Sequence, residues 1–167
     1  MQYNIPNALR GDDTMAVRFS FKHFLFNAFR ELFLYHHSSL EFRAKLFAAL
    51  ISADNEANEC EFDVVKEAGM KIYNDEDRSN TLVLTTREMV EKVLKNNGLD
   101  IDALVEDIIR DLRSVPRYAL KIDLAQLEPL LACQDDPDIT AYQQSILRLF
   151  GELRSEFVAA REGDQPL

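Results

Sequence analysis

Glycine and proline are scarce in this chain, and each contributes only five of its 167 residues. The apolar residues recur with a helical period near 3.6, and no segment alternates convincingly as a β-strand does. The short run "TLVLT" (81–85) is better explained as leading into a helix. We therefore predict an all-α fold, a compact bundle of about seven helices.

Basic residues are also few, since 19 Lys and Arg stand against 29 Asp and Glu, and the net charge is -10. Such a chain repels polyphosphate and anionic lipid, so we expect no nucleic-acid partner. The densest basic group is Arg110, Arg113, Arg117 and Lys121. Arg110 and Arg113 lie where a helix C-terminus favours cations, which explains them without a ligand.

The chain has only two cysteines, Cys60 and Cys133, without CxxC spacing or neighbouring histidines. This pattern argues against a zinc site and against a secreted disulfide framework, and Cys133 in "LLACQ" fits a buried, inert thiol. The N-terminus lacks the basic and apolar regions of a secretory signal, and charged residues interrupt its apolar stretch. We predict a cytoplasmic protein with no membrane span.

Catalytic motifs are missing as well: there is no Gly-rich phosphate loop, HExxH or GxSxG. We therefore expect a protein that is not an enzyme, although a metal-assisted hydrolase remains a distant alternative. His36 and His37, with Glu41 one turn later, could supply a metal site, but a polar helix end explains them better.

Helix starts are marked by four capping boxes, in which a capping residue stands three positions before Glu or Gln. They are Ser38 with Glu41, Asn58 with Glu61, Thr85 with Glu88, and Thr140 with Gln143. Further helices are expected after Asp13, near Asp100 and through Pro116, and Pro129 should kink or split the sixth. We predict an acidic loop at 74–81 and one domain over 13–160, between flexible ends 1–12 and 161–167.

The first predicted helix carries more apolar residues than one face requires. One stripe contains Phe21, Phe24, Leu25, Ala28, Leu32 and Tyr35, and a second row at heptad spacing contains Phe19, Phe26 and Phe33. Burial between two layers of the same domain explains both rows. The alternative is that Phe19, Phe26 and Phe33 form a homodimer seam or a partner groove.

Two segments of the chain share one pattern: an apolar helix, an acidic turn, a capping box and a second apolar helix. They are 46–69 and 127–151. With one inserted residue, Asp54 aligns with Asp136, Glu56 with Asp138, and Glu61 with Gln143. We predict an internal duplication with pseudo-twofold symmetry. We name residues 52–61 the first acidic turn and residues 133–138 the second acidic turn.

The stretch "AALISADNEANECE" resembles the tellurite-resistance TerB-like domain family, in which an alanine-rich run precedes Asp-Gly-acid and a later Glu. Asp54, Glu56 and Glu61 match the acidic positions, while Asn55 replaces the usual Gly. The second copy keeps Asp136 and Asp138 but has Pro137 and Gln143 instead of Gly and Glu. The resemblance, over about 40–155, implies a helical bacterial cytoplasmic domain associated with tellurite resistance or envelope stress, and no known reaction.

Three roles are open for the acidic residues of these turns. They could cap helices through local hydrogen bonds, as Asp in turns and Glu in capping boxes do. They could bind Ca²⁺, Mg²⁺ or Mn²⁺, with Asp54, Glu56, Glu61, Asp136 and Asp138 as ligands, although neither turn has EF-hand spacing. They could instead recognise a basic protein. We predict a non-enzymatic adaptor whose acidic turns bind an unidentified protein partner, with a divalent-cation sensor as the alternative and no resident cofactor.

Overall fold

The computed structural model of the protein describes residues 38–95 and 101–163. These ranges contain six α-helices and two 3-10 helices and no strand, which confirms the all-α prediction. The α-helices are α1 (Ser38–Ile51), α2 (Glu59–Tyr73), α3 (Glu76–Lys95), α4 (Ile101–Ser114), α5 (Leu124–Leu127) and α6 (Pro137–Gly163); the 3-10 helices are Pro116–Lys121 and Glu128–Cys133.

Helix α1 lies in the centre of the described bundle. Its residues 46–51 are six consecutive apolar side chains, and none is more than 2% exposed. A helical segment that is apolar all round must be buried on every side. The C-terminal half of α1 therefore lies within the core of the described bundle.

Named contacts show which elements surround α1. The ring of Phe42 stacks on Tyr118 of the first 3-10 helix, with centroids 5.0 Å apart. Lys45 donates to Asp111 of α4 over 2.8 Å. The side chain of Gln143 in α6 donates to a backbone carbonyl near the end of α1. One central helix thus contacts elements from three later parts of the chain.

Helices α2 and α3 form an antiparallel pair joined by a tight turn. Asn74 has φ 50°, the left-handed conformation that ends α2, and Asp75 accepts from the backbone N–H of Arg78 over 2.8 Å at the start of α3. A Cβ at Gly69 would meet Ser79 Cα at 3.0 Å. The two helices approach so closely at this point that a larger residue would press on the backbone of Ser79.

Two of the predicted helix starts are wrong. Thr85 and Glu88 lie inside α3, and Thr140 and Gln143 lie inside α6. Helix α3 already begins at Glu76, so the acidic loop predicted for 74–81 is reduced to a turn. The run "TLVLT" lies inside α3 and does not lead into it. The spacing of a capping box also occurs in helix interiors, and an earlier cap at Asp75 determines where α3 begins.

The predictions that rest on proline agree with the structure. Helix α5 ends at Leu127, and the chain continues past Pro129 as a 3-10 helix, which is the expected split. Pro116 does open a helix, but a 3-10 helix of six residues.

The start predicted near Asp100 also agrees with the structure, since helix α4 begins at Ile101.

The described residues from Ser39 onward belong to one compact unit, and α6 continues to Gly163. The predicted phenylalanine-rich helix lies outside the described residues. The partner surface of Phe19, Phe26 and Phe33, the homodimer and the histidine pair therefore stay predictions. No helix of the described part of the chain is long and apolar enough to cross a membrane.

Candidate functional site at the two acidic turns

A disulfide bond joins the two acidic turns. It links Cys60, in the first turn of α2, to Cys133, at the end of the second 3-10 helix, with Cα atoms 5.7 Å apart. The interpretation of the cysteines as unpaired, and of Cys133 as an inert thiol, is wrong. The two residues are 73 positions apart, and only the packing of the helices brings them together. The cysteines therefore no longer support the predicted cytoplasmic location.

The capping box predicted for Asn58 and Glu61 is confirmed. The backbone N–H of Glu61 donates to Asn58 Oδ1 over 3.2 Å, and the backbone N–H of Asn58 donates to Glu61 Oε2 over 2.9 Å. These two bonds satisfy backbone donors that the start of a helix otherwise leaves free. The first acidic turn is therefore anchored to α2 by its own side chains.

Two hydrogen bonds join the acidic turns beside the disulfide. Gln134 Nε2 donates to Glu61 Oε1 over 2.8 Å, and Asn58 Nδ2 donates to the backbone oxygen of Cys133 over 3.4 Å. Glu61 itself is fully buried. The Glu61 carboxylate thus accepts one bond from its own turn and one from the other turn. We name the place where the disulfide and these bonds join the two acidic turns the junction.

The second acidic turn repeats part of the first. Asp54 Oδ1 accepts from the backbone N–H of Glu56 over 3.3 Å, and Asp136 Oδ1 accepts from the backbone N–H of Asp138 over 2.8 Å. Both are turns closed by an aspartate side chain, as predicted. The aligned aspartates therefore have the same local role. The internal duplication stays a prediction, because the helix before the second turn is largely 3-10.

Gln143 does not complete a capping box. Helix α6 begins at Pro137, so Gln143 lies two turns inside it. Its side chain is fully buried, and Nε2 donates to the backbone oxygen of Leu50 over 3.1 Å. Gln143 therefore satisfies a carbonyl at the end of α1, next to the first acidic turn, rather than an N–H of its own helix.

Most carboxylates of the acidic turns face solvent. Glu56, Asp135, Asp136 and Asp138 are exposed, and Asp54 is half-buried. None of these five forms an ion pair with another residue of the described ranges. The junction thus presents negative charge that the described bundle does not neutralise.

The proposed metal ligands are not gathered into a metal centre within residues 38–95 and 101–163. No three His, Cys, Asp or Glu side chains there are placed to hold a metal ion. Asp54 and Asp136 close their turns, and each oxygen of Glu61 already accepts a hydrogen bond. The cation sensor stays a prediction, and no contact in the described ranges favours it over capping.

The basic cluster does not form a separate site either. Arg113 lies in the last turn of α4, where its charge complements the helix dipole, as expected. Arg110 pairs with Asp107 of the same helix over 2.6 Å. Part of this cluster therefore stabilises α4.

Burial raises the pKa of Glu61 above the usual value of a glutamate. The bonds from Asn58 and Gln134 oppose this shift, because they favour the charged carboxylate, and the negative charge of Asp54 adds to it. The folded protein therefore protonates Glu61 at a higher pH than the unfolded chain does. The stabilisation linked to this proton is present below the unfolded pKa of about 4.3 and is lost as the pH rises through the raised pKa.

We expect this linkage to appear in the pH dependence of stability. The free energy of unfolding of the wild type, minus that of Glu61→Gln, should fall as the pH rises from about 4.3 through the raised pKa. Urea unfolding of both proteins from acidic to neutral pH measures the difference. A difference that rises with pH would mean that the two hydrogen bonds outweigh burial and lower the pKa.

Sequence reasoning missed the disulfide and the bond from Gln134. One signal was available: each cysteine lies in one of the two acidic turns. If the repeated units face each other, both cysteines come to the same junction. The capping pattern of Glu61 was visible locally, whereas its second partner, 73 residues away, was not.

Comparisons with known proteins identify no family for this chain: no family model matches it, and neither the curated proteins nor the solved structures contain a significant match. The resemblance to TerB-like domains therefore stays a prediction that rests on the residues of the first acidic turn.

Proposed function

We propose that this protein is a non-enzymatic interaction module that binds a basic segment of a partner protein through its two acidic turns. The observation that supports the proposal is the junction itself, where a disulfide and two hydrogen bonds hold both turns side by side. A role as a cytoplasmic adaptor in a bacterial stress response, as the TerB-like resemblance implies, belongs to the same proposal.

The charge of the junction suits a basic partner. Residues 54–63 contain five acidic residues and no basic one, and residues 134–138 add three more acidic residues. The exposed carboxylates among them lack ion-pair partners in the described ranges, apart from Glu59, which pairs with Arg87. An uncompensated patch of one sign attracts the opposite charge and speeds association.

The junction is also held in place before any partner arrives. Asp54 and Asp136 fix their own turns, and the buried Glu61 holds both turns together. A surface whose shape is already set loses less conformational entropy on binding. Preorganised charge of this kind favours selective recognition of a basic segment.

We expect a fluorescent Lys- and Arg-rich peptide to bind the protein, and the affinity to fall with added salt. Neutralising four exposed carboxylates (Glu56→Gln, Asp135→Asn, Asp136→Asn, Asp138→Asn) should weaken binding by about tenfold or more, equivalent to about 1.4 kcal/mol. The side-chain amide introduced by Asp136→Asn retains an oxygen that can close the turn. Fluorescence anisotropy at several salt concentrations, with and without chelator, measures the effect.

The matched control removes the same charge elsewhere, through Asp102→Asn, Glu106→Gln, Glu152→Gln and Glu156→Gln, all exposed residues of α4 and α6. Its affinity should stay within about twofold of the wild type. Equal losses of affinity in both variants would show that binding depends only on the net charge of the protein. Undiminished binding after neutralisation of the turns would refute recognition at this surface, and loss of binding with chelator would favour the cation sensor.

A further inference from the structure

Cys60 and Cys133 are the only cysteines of the chain, and the bundle places both at the junction of the acidic turns. Neither lies in the core: Cys60 is exposed and Cys133 is half-buried. The disulfide therefore lies at the surface of the bundle, where small thiols and disulfides approach the protein. Structural disulfides of stable cores are usually shielded, and accessible ones exchange more readily.

Within the described ranges, two side-chain hydrogen bonds connect the acidic turns beside the disulfide, Gln134 to Glu61 and the longer one from Asn58 to the Cys133 carbonyl. No ion pair of the described residues crosses the junction. The helices on either side, by contrast, are anchored in the core through Phe62 and Leu130, which are at most 4% exposed.

We propose that Cys60 and Cys133 form a reversible thiol–disulfide latch, which clamps the two acidic turns together when oxidised and lets them separate when reduced. The helical core stays folded in both states. The latch is a covalent modification site at the surface, and it is distinct from recognition of a basic partner. Its existence does not depend on the proposed function, although its effect on binding would.

The chemistry requires a low-molecular-weight disulfide such as oxidised glutathione. One protein thiolate attacks a sulfur of that disulfide and forms a mixed disulfide, which releases the first small-molecule thiolate. The other protein thiolate attacks the protein sulfur of the mixed disulfide and expels the second. In total, two protein thiols and one small disulfide give one protein disulfide and two small thiols, and a dithiol reductant reverses the reaction.

The experiment uses the full chain, equilibrated with glutathione buffers of increasing oxidised fraction. Alkylation of free thiols followed by mass spectrometry counts reduced cysteines, and amide hydrogen exchange reports local opening. We expect both thiols to appear and disappear together and reversibly. In the reduced state, exchange should speed up at least tenfold at residues 54–61 and 133–138, while residues 42–51 of α1 remain protected.

A Cys60→Ser, Cys133→Ser protein is the second measurement, and it should show the fast exchange of the reduced state in any buffer. Uniform loss of protection, α1 included, on reduction of the wild type would show a structural disulfide and overturn the latch. Unchanged exchange in the turns, or thiols that never form without denaturant, would also overturn it. None of these results depends on a partner, so the peptide assay tests the proposed function separately.

Discussion

Replacing Glu61 with alanine should lower the free energy of unfolding by about 2–4 kcal/mol. The substitution removes the acceptor for the Asn58 N–H and for Gln134 Nε2, and it leaves a cavity where a fully buried side chain stood. Loss of a helix cap alone costs about 1 kcal/mol, and two partly buried donors without an acceptor and a void add to it. Urea denaturation at neutral pH measures the loss.

Two further variants identify which contact is responsible. Glu61→Gln should cost at most about 1 kcal/mol, because its oxygen can accept from Asn58 and its amide can donate to a rotated Gln134. Glu59→Ala, at the exposed neighbour, should change stability by less than about 1 kcal/mol even though it removes the pair with Arg87. If Glu61→Ala behaved like Glu59→Ala, the buried carboxylate would have no role in holding the junction.

Replacing Phe42 with alanine should lower the free energy of unfolding by about 3–5 kcal/mol. Phe42 is fully buried in α1, and its ring stacks on Tyr118 with an interplanar angle of 30°. Truncation opens a cavity between α1 and the 3-10 helix that packs on it, and the surrounding side chains relax only partially into such a space. Thermal and urea unfolding of the variant and of the wild type measure the difference in the free energy of unfolding.

Phe42→Leu retains most of the volume and should cost less than about 1.5 kcal/mol. Tyr142→Ala, at a side chain that is 43% exposed, should change stability by about 0.5 kcal/mol or less. A loss below about 1 kcal/mol for Phe42→Ala would contradict the central position of α1. Under conditions where Phe42→Ala is folded, its binding to the basic peptide should match that of the wild type.

Local signals predicted much of the fold. These signals are the scarcity of glycine and proline, the helical period, and the prolines at 116 and 129. Each acts within a few residues of the chain, so its effect can be predicted without the tertiary structure. Capping-box spacing was less reliable. It predicted a helix start correctly at Asn58, where the preceding helix had ended. It was wrong at Thr85 and Thr140, which lie inside α3 and α6.

The candidate site was predicted only in part. That Asp54 and Asp136 close turns follows from what aspartate does to its own backbone two residues on. Gln143 was expected to do the same work as Glu61, and instead it satisfies the Leu50 carbonyl across the bundle. A buried amide forms a hydrogen bond with whichever polar group packs beside it. For Gln143 that group is 93 residues away, so local sequence could not predict it.

By itself, then, the amino-acid sequence determined the helical class, the apolar helix before the first acidic turn, the two acidic turns and the capping of α2, since these follow from propensity, periodicity and hydrogen bonds over a few residues. Only the tertiary structure decided that Cys60 meets Cys133 and that Glu61 accepts from Gln134. Each of these contacts spans 73 residues, and which distant groups meet depends on how several helices pack around α1.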